Sequence, residues 1–209
     1  RATPIDQFAK DYLGLNVSFT HLSADGSLCG LTAYTDTEYI LDIGGIQRTI
    51  PLKQNQVLLD SSFIRPGQVR KLCGKRRFTL AHECAHQILF SMENDETKAA
   101  CRKKYAARTA YSLCDLKTHE DWNEWQANTL GAAILMPQSE VDRAMWFINS
   151  RKPLTCYGWR FYDSDQVKID TFCGVFGVSR SAAAIRLEQL GYLNRKKDYE
   201  YRDPLEVWP

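Results

Sequence analysis

The sequence predicts an α+β fold, and three observations carry that prediction. Short runs of β-branched, aromatic and aliphatic residues alternate with turn residues over the first sixty positions. A run of helical period follows at 78–92, and further helical segments fill the second half of the chain. Taken in order, Thr3-Pro4 reads as an N-cap and first turn of a short helix ending near Gly14. Segments 15–19, 30–34, 39–43, 49–52 and 57–60 read as strands. They are separated by turn residues such as Ala24-Asp25-Gly26 and Ile43-Gly44-Gly45, and together they predict a small, mainly antiparallel sheet. The helix that follows sets Ala81, Cys84, Ala85, Ile88, Leu89 and Met92 on one apolar stripe. Segment 95–118, rich in Lys, Arg, Ala and Tyr, is an insertion that reads as a lid or as a charged helix, with Lys103-Lys104 on solvated surface. A second helix stops at Pro137. Segment 169–176, the turn Gly177-Val178-Ser179 and segment 180–190 closed by Gly191 have a helix, tight turn, helix outline, and 198–209 reads as a loose tail. The expected division is one domain over 1–150 and a helical appendage with its tail over 151–209, packed on the first.

The chemistry concentrates in His82-Glu83-Cys84-Ala85-His86. Two imidazoles four residues apart project from one helical face and can grip a single metal ion, and the carboxylate between them is the usual general base. The competing reading makes His82 and His86 polar residues on the solvent side of a core helix, with Glu83 a solvated charge. Catalytic zinc takes three protein ligands and keeps one position open, so a third donor is needed. The elongated pattern with a third histidine is closed, because Leu89 and Met92 stand where it needs Gly and His. Nothing around His21 supports ligation, and His119 begins an acidic stretch. Glu124 is the best candidate, since it shares one helical face with Asn128 and Gly131 at i, i+4 and i+7. Asn128 is placed to hydrogen-bond a ligating imidazole from behind and fix its tautomer, and Gly131 to let two helices approach closely.

Composition narrows the remaining classes. With 209 residues, 44% of them hydrophobic, the chain can bury one sizeable core with or without a small appendage. A net charge of +2 gives no general case for nucleic-acid or membrane attraction, and no apolar run approaches the ~18 residues that span a bilayer. Seven cysteines, an odd number without C-x-x-C spacing, do not form a disulfide framework; free thiols imply a reducing compartment, hence the cytoplasm. Cys84 is expected in the core as a small hydrophobe, and Cys101 and Cys114 lack the short spacing of metal ligands. The chain begins at Arg1 rather than at a methionine, as expected of a trimmed start.

Arg76-Arg77-Phe78-Thr79-Leu80-Ala81-His82-Glu83, then Glu124-Trp125-Gln126-Ala127-Asn128, then Ile134-Leu135-Met136-Pro137 resemble, in that order, the ImmA/IrrE metallo-endopeptidase family. The likeness runs back to the N-terminus and forward through Phe176-Gly177-Val178-Ser179 and Arg186-Leu187-Glu188-Gln189-Leu190-Gly191. Two positions depart from it. Cys84 replaces a small or aliphatic residue, and Gln126 replaces a second glutamate of many members, which leaves Glu124 as the carboxylate. The resemblance implies a zincin-like core over 1–150 and a cytoplasmic zinc endopeptidase with a thermolysin-like site, often carried by mobile elements or prophages. It also implies a protein substrate or target, a helix-turn-helix repressor. On this reading zinc sits on His82, His86 and Glu124, and Glu83 is the general base. Oxyanion donors are sought among Tyr105, Tyr111, His119 and Tyr157, and an extended substrate is expected to add to a sheet edge. The rival functions are a metal-bearing adaptor that does not cut, and a DNA-binding regulator using Arg180, Arg186 and Arg195-Lys196-Lys197. Fold outline alone does not establish base readout, so direct nucleic-acid binding is not expected.

Overall fold

The computed structural model describes residues 2–23, 26–43, 45–92, 102–106 and 119–202, with backbone alone for 42, 43, 46, 102–106 and 119–121. The chain is α+β, and its elements divide into two compact units, Thr3–Leu135 and Met136–Pro209 with Arg1–Ala2.

In the first unit, α1 (Ile5–Gln7) runs into a wider π-type turn over Phe8–Tyr12 and ends before Gly14, whose φ of +66° suits a residue without a side chain. Thr3 does not cap this helix as expected. Its hydroxyl donates instead to the Ile134 carbonyl at 2.8 Å, satisfying a C-terminal group of a helix distant in sequence. Strands β1 (Asn16–Thr20), β2 (Leu28–Ala33), β3 (Thr37–Ile43), β4 (Ile46–Leu52) and β5 (Gln56–Asp60) follow. They form two sheets rather than the single one expected. β3 and β4 pair as a hairpin with Ile43 opposite Ile46, while β1, β5, β2 and β6 (Arg102–Ala106) lie in that order with only the β1–β5 pair parallel. Strand β6 falls within the insertion read as a lid or charged helix; the rest of that segment, with Cys101, Tyr111 and Cys114, lies outside the described residues. Among the described residues β6 is an edge of that sheet, where a strand rich in Lys and Arg is tolerated.

Every residue of β2 is buried, because it packs on two sides. Leu31 and Ala33 meet Tyr39, Leu41 and Leu52 of the hairpin in one apolar cluster. The alternate residues, Gly30 and Thr32, face α2 (Val69–Met92), whose Gln87 amide donates to Thr32 Oγ1 at 2.6 Å and to the Ala33 carbonyl at 3.0 Å. α2 starts earlier than the periodic stripe suggested. Its centre is buried all round, from Thr79 to His86 without a break, whereas Met92 at the end of the stripe is 79% exposed. The stripe fails because β2 covers one face and α3 (His119–Leu135) another. α3 ends at Leu135, just ahead of the predicted stop at Pro137.

In the second unit, α4 (Gln138–Asn149) precedes the hairpin β7 (Leu154–Tyr157) and β8 (Arg160–Phe161), then α5 (Asp163–Phe176), α6 (Arg180–Gln189) and β9 (Leu193–Lys196), which pairs parallel to β7. This three-stranded sheet was not anticipated. Its strands are two to four residues long, too short to show a period. The expected turn between helices is present: Gly177 closes α5 at φ +64° and the Ser179 hydroxyl caps α6 by accepting from Ala182 N. Ile169, Phe172, Phe176, Ala183 and Leu187 are fully buried between them. The basic residues are engaged within the unit. Arg180 makes two 2.7 Å bonds to Asp170, Arg195 binds Glu188, and buried Arg186 donates to the Met136 carbonyl at 3.0 Å. The start of the tail forms a short turn at Asp198–Glu200, and Tyr201 packs edge-on against Tyr157. Among the described residues, no helix is long and apolar enough to cross a membrane.

Candidate metal centre

α2 and α3 bring His82, His86 and Glu124 to one point. Helical periodicity puts His86 one turn beyond His82, so their Nε2 atoms lie 2.9 Å apart. The Glu124 carboxylate lies across them, with Oε2 3.2 Å from His82 Nε2 and Oε1 3.2 Å from His86 Nε2. Close contact of the two helices makes this possible, and Gly131 allows it: a Cβ there would lie 3.1 Å from the His82 backbone nitrogen. The face predicted for α3 is therefore realised, with Glu124 against both imidazoles, Asn128 against His82 and Gly131 against the backbone of Ala81–His82.

The electrostatics of the cluster favour a cation. His82 has no exposed surface, and burial pushes it down to about 4, so it is uncharged at neutral pH. Asn128 Oδ1 lies 3.1 Å from His82 Nδ1, where it can accept a ring hydrogen. Burial pushes Glu124 up, but hydrogen bonds with His82 and His86 outweigh it and hold the carboxyl at about 2, so it is ionised. Two imidazole nitrogens and a carboxylate, all within 4.8 Å of one another, thus form a nitrogen and oxygen donor set suited to a divalent metal ion. Bonds of ~2.1 Å at tetrahedral angles would separate such donors by about 3.4 Å, close to the spacings found here.

Glu83 reaches toward β2, its Oε1 against Gly30. It has no exposed surface, and neither carboxyl oxygen has a hydrogen-bond partner among the described residues. Burial, reinforced by the nearby charge of Glu124, raises it well above the usual carboxylate range. A solvated surface charge, the competing reading of His82, Glu83 and His86, is excluded by this burial.

His21 is half-exposed, its Nδ1 3.7 Å from Asp60 Oδ2. Backbone placement puts Tyr105 opposite Gly30 in the β2–β6 ladder and His119 at the start of α3, while Tyr157 belongs to the second unit. Cys84 is fully buried, as expected, and burial lifts its thiol to about 12. The residue that sequence reasoning passed over is Gly30. Its signal was a glycine inside a strand, which marks close approach by another group. Compared with protein-family models, with curated proteins and with solved structures, the chain shows no match to any of the three.

Proposed function

We propose that the chain is a zinc endopeptidase of the ImmA/IrrE kind, with a zincin-like core in its first unit and a helix-turn-helix-like pair in α5 and α6. One observation carries the reading: a three-donor cluster of His82, His86 and Glu124 with a wholly buried Glu83 carboxyl that no described residue hydrogen-bonds. A pure metal-bearing adaptor has no physical need for such a carboxyl, whose burial is costly. Zinc, when bound, would acidify a water and polarise a scissile carbonyl. His82 and Glu124 are already in the neutral and ionised forms that ligate, and Asn128 keeps the His82 hydrogen on Nδ1 so that Nε2 stays open. Glu83 takes up a proton at a carboxylate oxygen and delivers it to the departing amine nitrogen; burial, which favours its neutral form, suits it to hold that proton in between. An extended substrate would pair with β6, the sheet edge beside β2.

The substrate we propose is a helix-turn-helix repressor, cut at one position in the cytoplasm. All five described cysteines are free, which accords with a reducing compartment. Arg180, Arg186 and Arg195 are held by Asp170, the Met136 carbonyl and Glu188, which weighs against their reading DNA bases. The test is incubation of the zinc-loaded chain with a repressor encoded beside it, with Glu83→Gln as control. A single cut that the control does not make is the expected result. Salt-dependent, sequence-selective binding to operator DNA with no cleavage of any repressor would replace this reading with the regulator.

A further inference from the structure

We propose that Gly30 is a positioning residue for Glu83: the missing side chain on β2 leaves the niche that holds the carboxyl and sets where it points. The inference rests on the reading of Glu83 as the proton-transferring group. A glycine in the middle of a buried strand weakens that strand, and the irregularity of the β2–β6 ladder between Leu28 and Gly30 does not demand one, because the φ of Gly30 lies outside the left-handed region. Gly30 is paired on both sides, with Leu59 of β5 and Tyr105 of β6, so it is not a frayed or unpaired position either. Space accounts for it. A Cβ at residue 30 would lie 2.6 Å from Glu83 Oε1, 3.2 Å from Glu83 Cδ and 2.6 Å from Thr79 Cγ2, distances at which something must shift.

Glu83 makes this decisive because no hydrogen bond from a described residue fixes its oxygens. A carboxyl held by hydrogen bonds would keep its direction when a neighbour grew. One held only by the walls of its niche turns with the niche. Displacement of a reacting group by ~1 Å is enough to cost about 100-fold in rate.

Thr79 is the other obstacle to a Cβ at residue 30, so the test is run with and without its methyl, by comparing Gly30→Ala alone and combined with Thr79→Ser in the full-length chain. Three readouts are taken: zinc content, the infrared carboxyl band identified by its loss in Glu83→Gln, and kcat and KM on a cleaved protein substrate. We expect Gly30→Ala to bind zinc stoichiometrically, to shift the Glu83 band and to lower kcat about 100-fold with KM little changed. The double variant should keep the shifted band and the low kcat. An unshifted band in Gly30→Ala, or wild-type band and kcat in the double variant, would overturn the proposal and leave Gly30 serving only the packing of Thr79. If Gly30→Ala does not fold, Glu83→Ala is added to the double variant: recovery of folding supports the niche, and continued unfolding overturns it. The band and the folding result do not depend on catalysis. Failure of the wild-type chain to cut any substrate would therefore refute the peptidase reading while these two still decide whether Gly30 places Glu83.

Discussion

In the unit Thr3–Leu135, Glu83 is wholly buried with both carboxyl oxygens unpartnered among the described residues, and Glu124 faces two imidazole nitrogens at 3.2 Å. In the unit Met136–Pro209, the buried Asp165 accepts from the Thr155 backbone at 2.9 Å and from Lys168 at 2.8 Å, and Arg186 donates to the Met136 carbonyl. Both units bury ionisable groups; among the described residues only the first leaves one without a hydrogen-bond partner. A buried polar group that finds its partners serves the fold, whereas one left without them lowers stability by about 1–3 kcal/mol and persists where function requires it.

The largest expected break in the comparison is catalytic. Glu83→Gln should bind zinc normally and lose roughly 100- to 10,000-fold in hydrolysis, the range of a general acid and base, whereas Glu124→Ala should lose the metal itself. Metal analysis beside peptide digestion separates the two, and normal zinc in Glu124→Ala would remove it from the ligand set.

Stability should respond with opposite signs in the two units. In metal-free protein, Glu83→Met replaces an unpartnered carboxyl with an apolar chain of similar length and should raise unfolding free energy by about 1–3 kcal/mol. Asp165→Ala strands the Thr155 N–H and should lower it by a similar amount. Urea unfolding of both variants reads this directly; equal signs would erase the contrast drawn between the units.

Asn128→Ala removes the acceptor on His82 Nδ1 without touching the donor cluster, and should weaken zinc affinity about 10- to 100-fold, as losses behind a ligand usually do. A chelator competition titration measures it, and unchanged affinity would reduce Asn128 to packing.

Two carboxyls of the first unit should tilt the pH dependence of metal-free stability in opposite directions. For Asp60, burial acts upward but hydrogen bonds from Leu22 N and Ser62 N outweigh it and hold the folded pKa below the unfolded value of ~3.9. Its contribution is therefore present above ~3.9 and lost as pH falls through the folded value. Glu83 has its folded pKa raised, so the folded state keeps a proton that the unfolded chain releases, and stability declines as pH rises above ~4.3 until the folded pKa is passed. Asp60→Asn should flatten the acid limb and Glu83→Gln the limb above it; unfolding curves across pH check both slopes. The smallest effect is expected at the surface of the second unit. Arg180→Ala breaks an exposed ion pair with Asp170 and should change stability by no more than ~1 kcal/mol in thermal unfolding, with no change in zinc content.

Much of this was legible without the structure where spacing and side-chain chemistry settle the matter. The i, i+4 pair His82 and His86, the Glu124, Asn128 and Gly131 face, the strands before residue 60 and the Gly177 turn follow from local periodicity and turn geometry, which act over a few residues. Long-range packing decided the rest. It buried α2 on every side instead of along a stripe, split five strands between two sheets, turned Arg102–Ala106 into an edge strand and sent the Thr3 hydroxyl to α3. It also set Gly30 against Glu83, joining positions fifty-three residues apart. Periodicity reports which face of an element is apolar, but which neighbour covers that face, and whether a buried carboxyl finds a donor there, depends on contacts between segments remote in the chain.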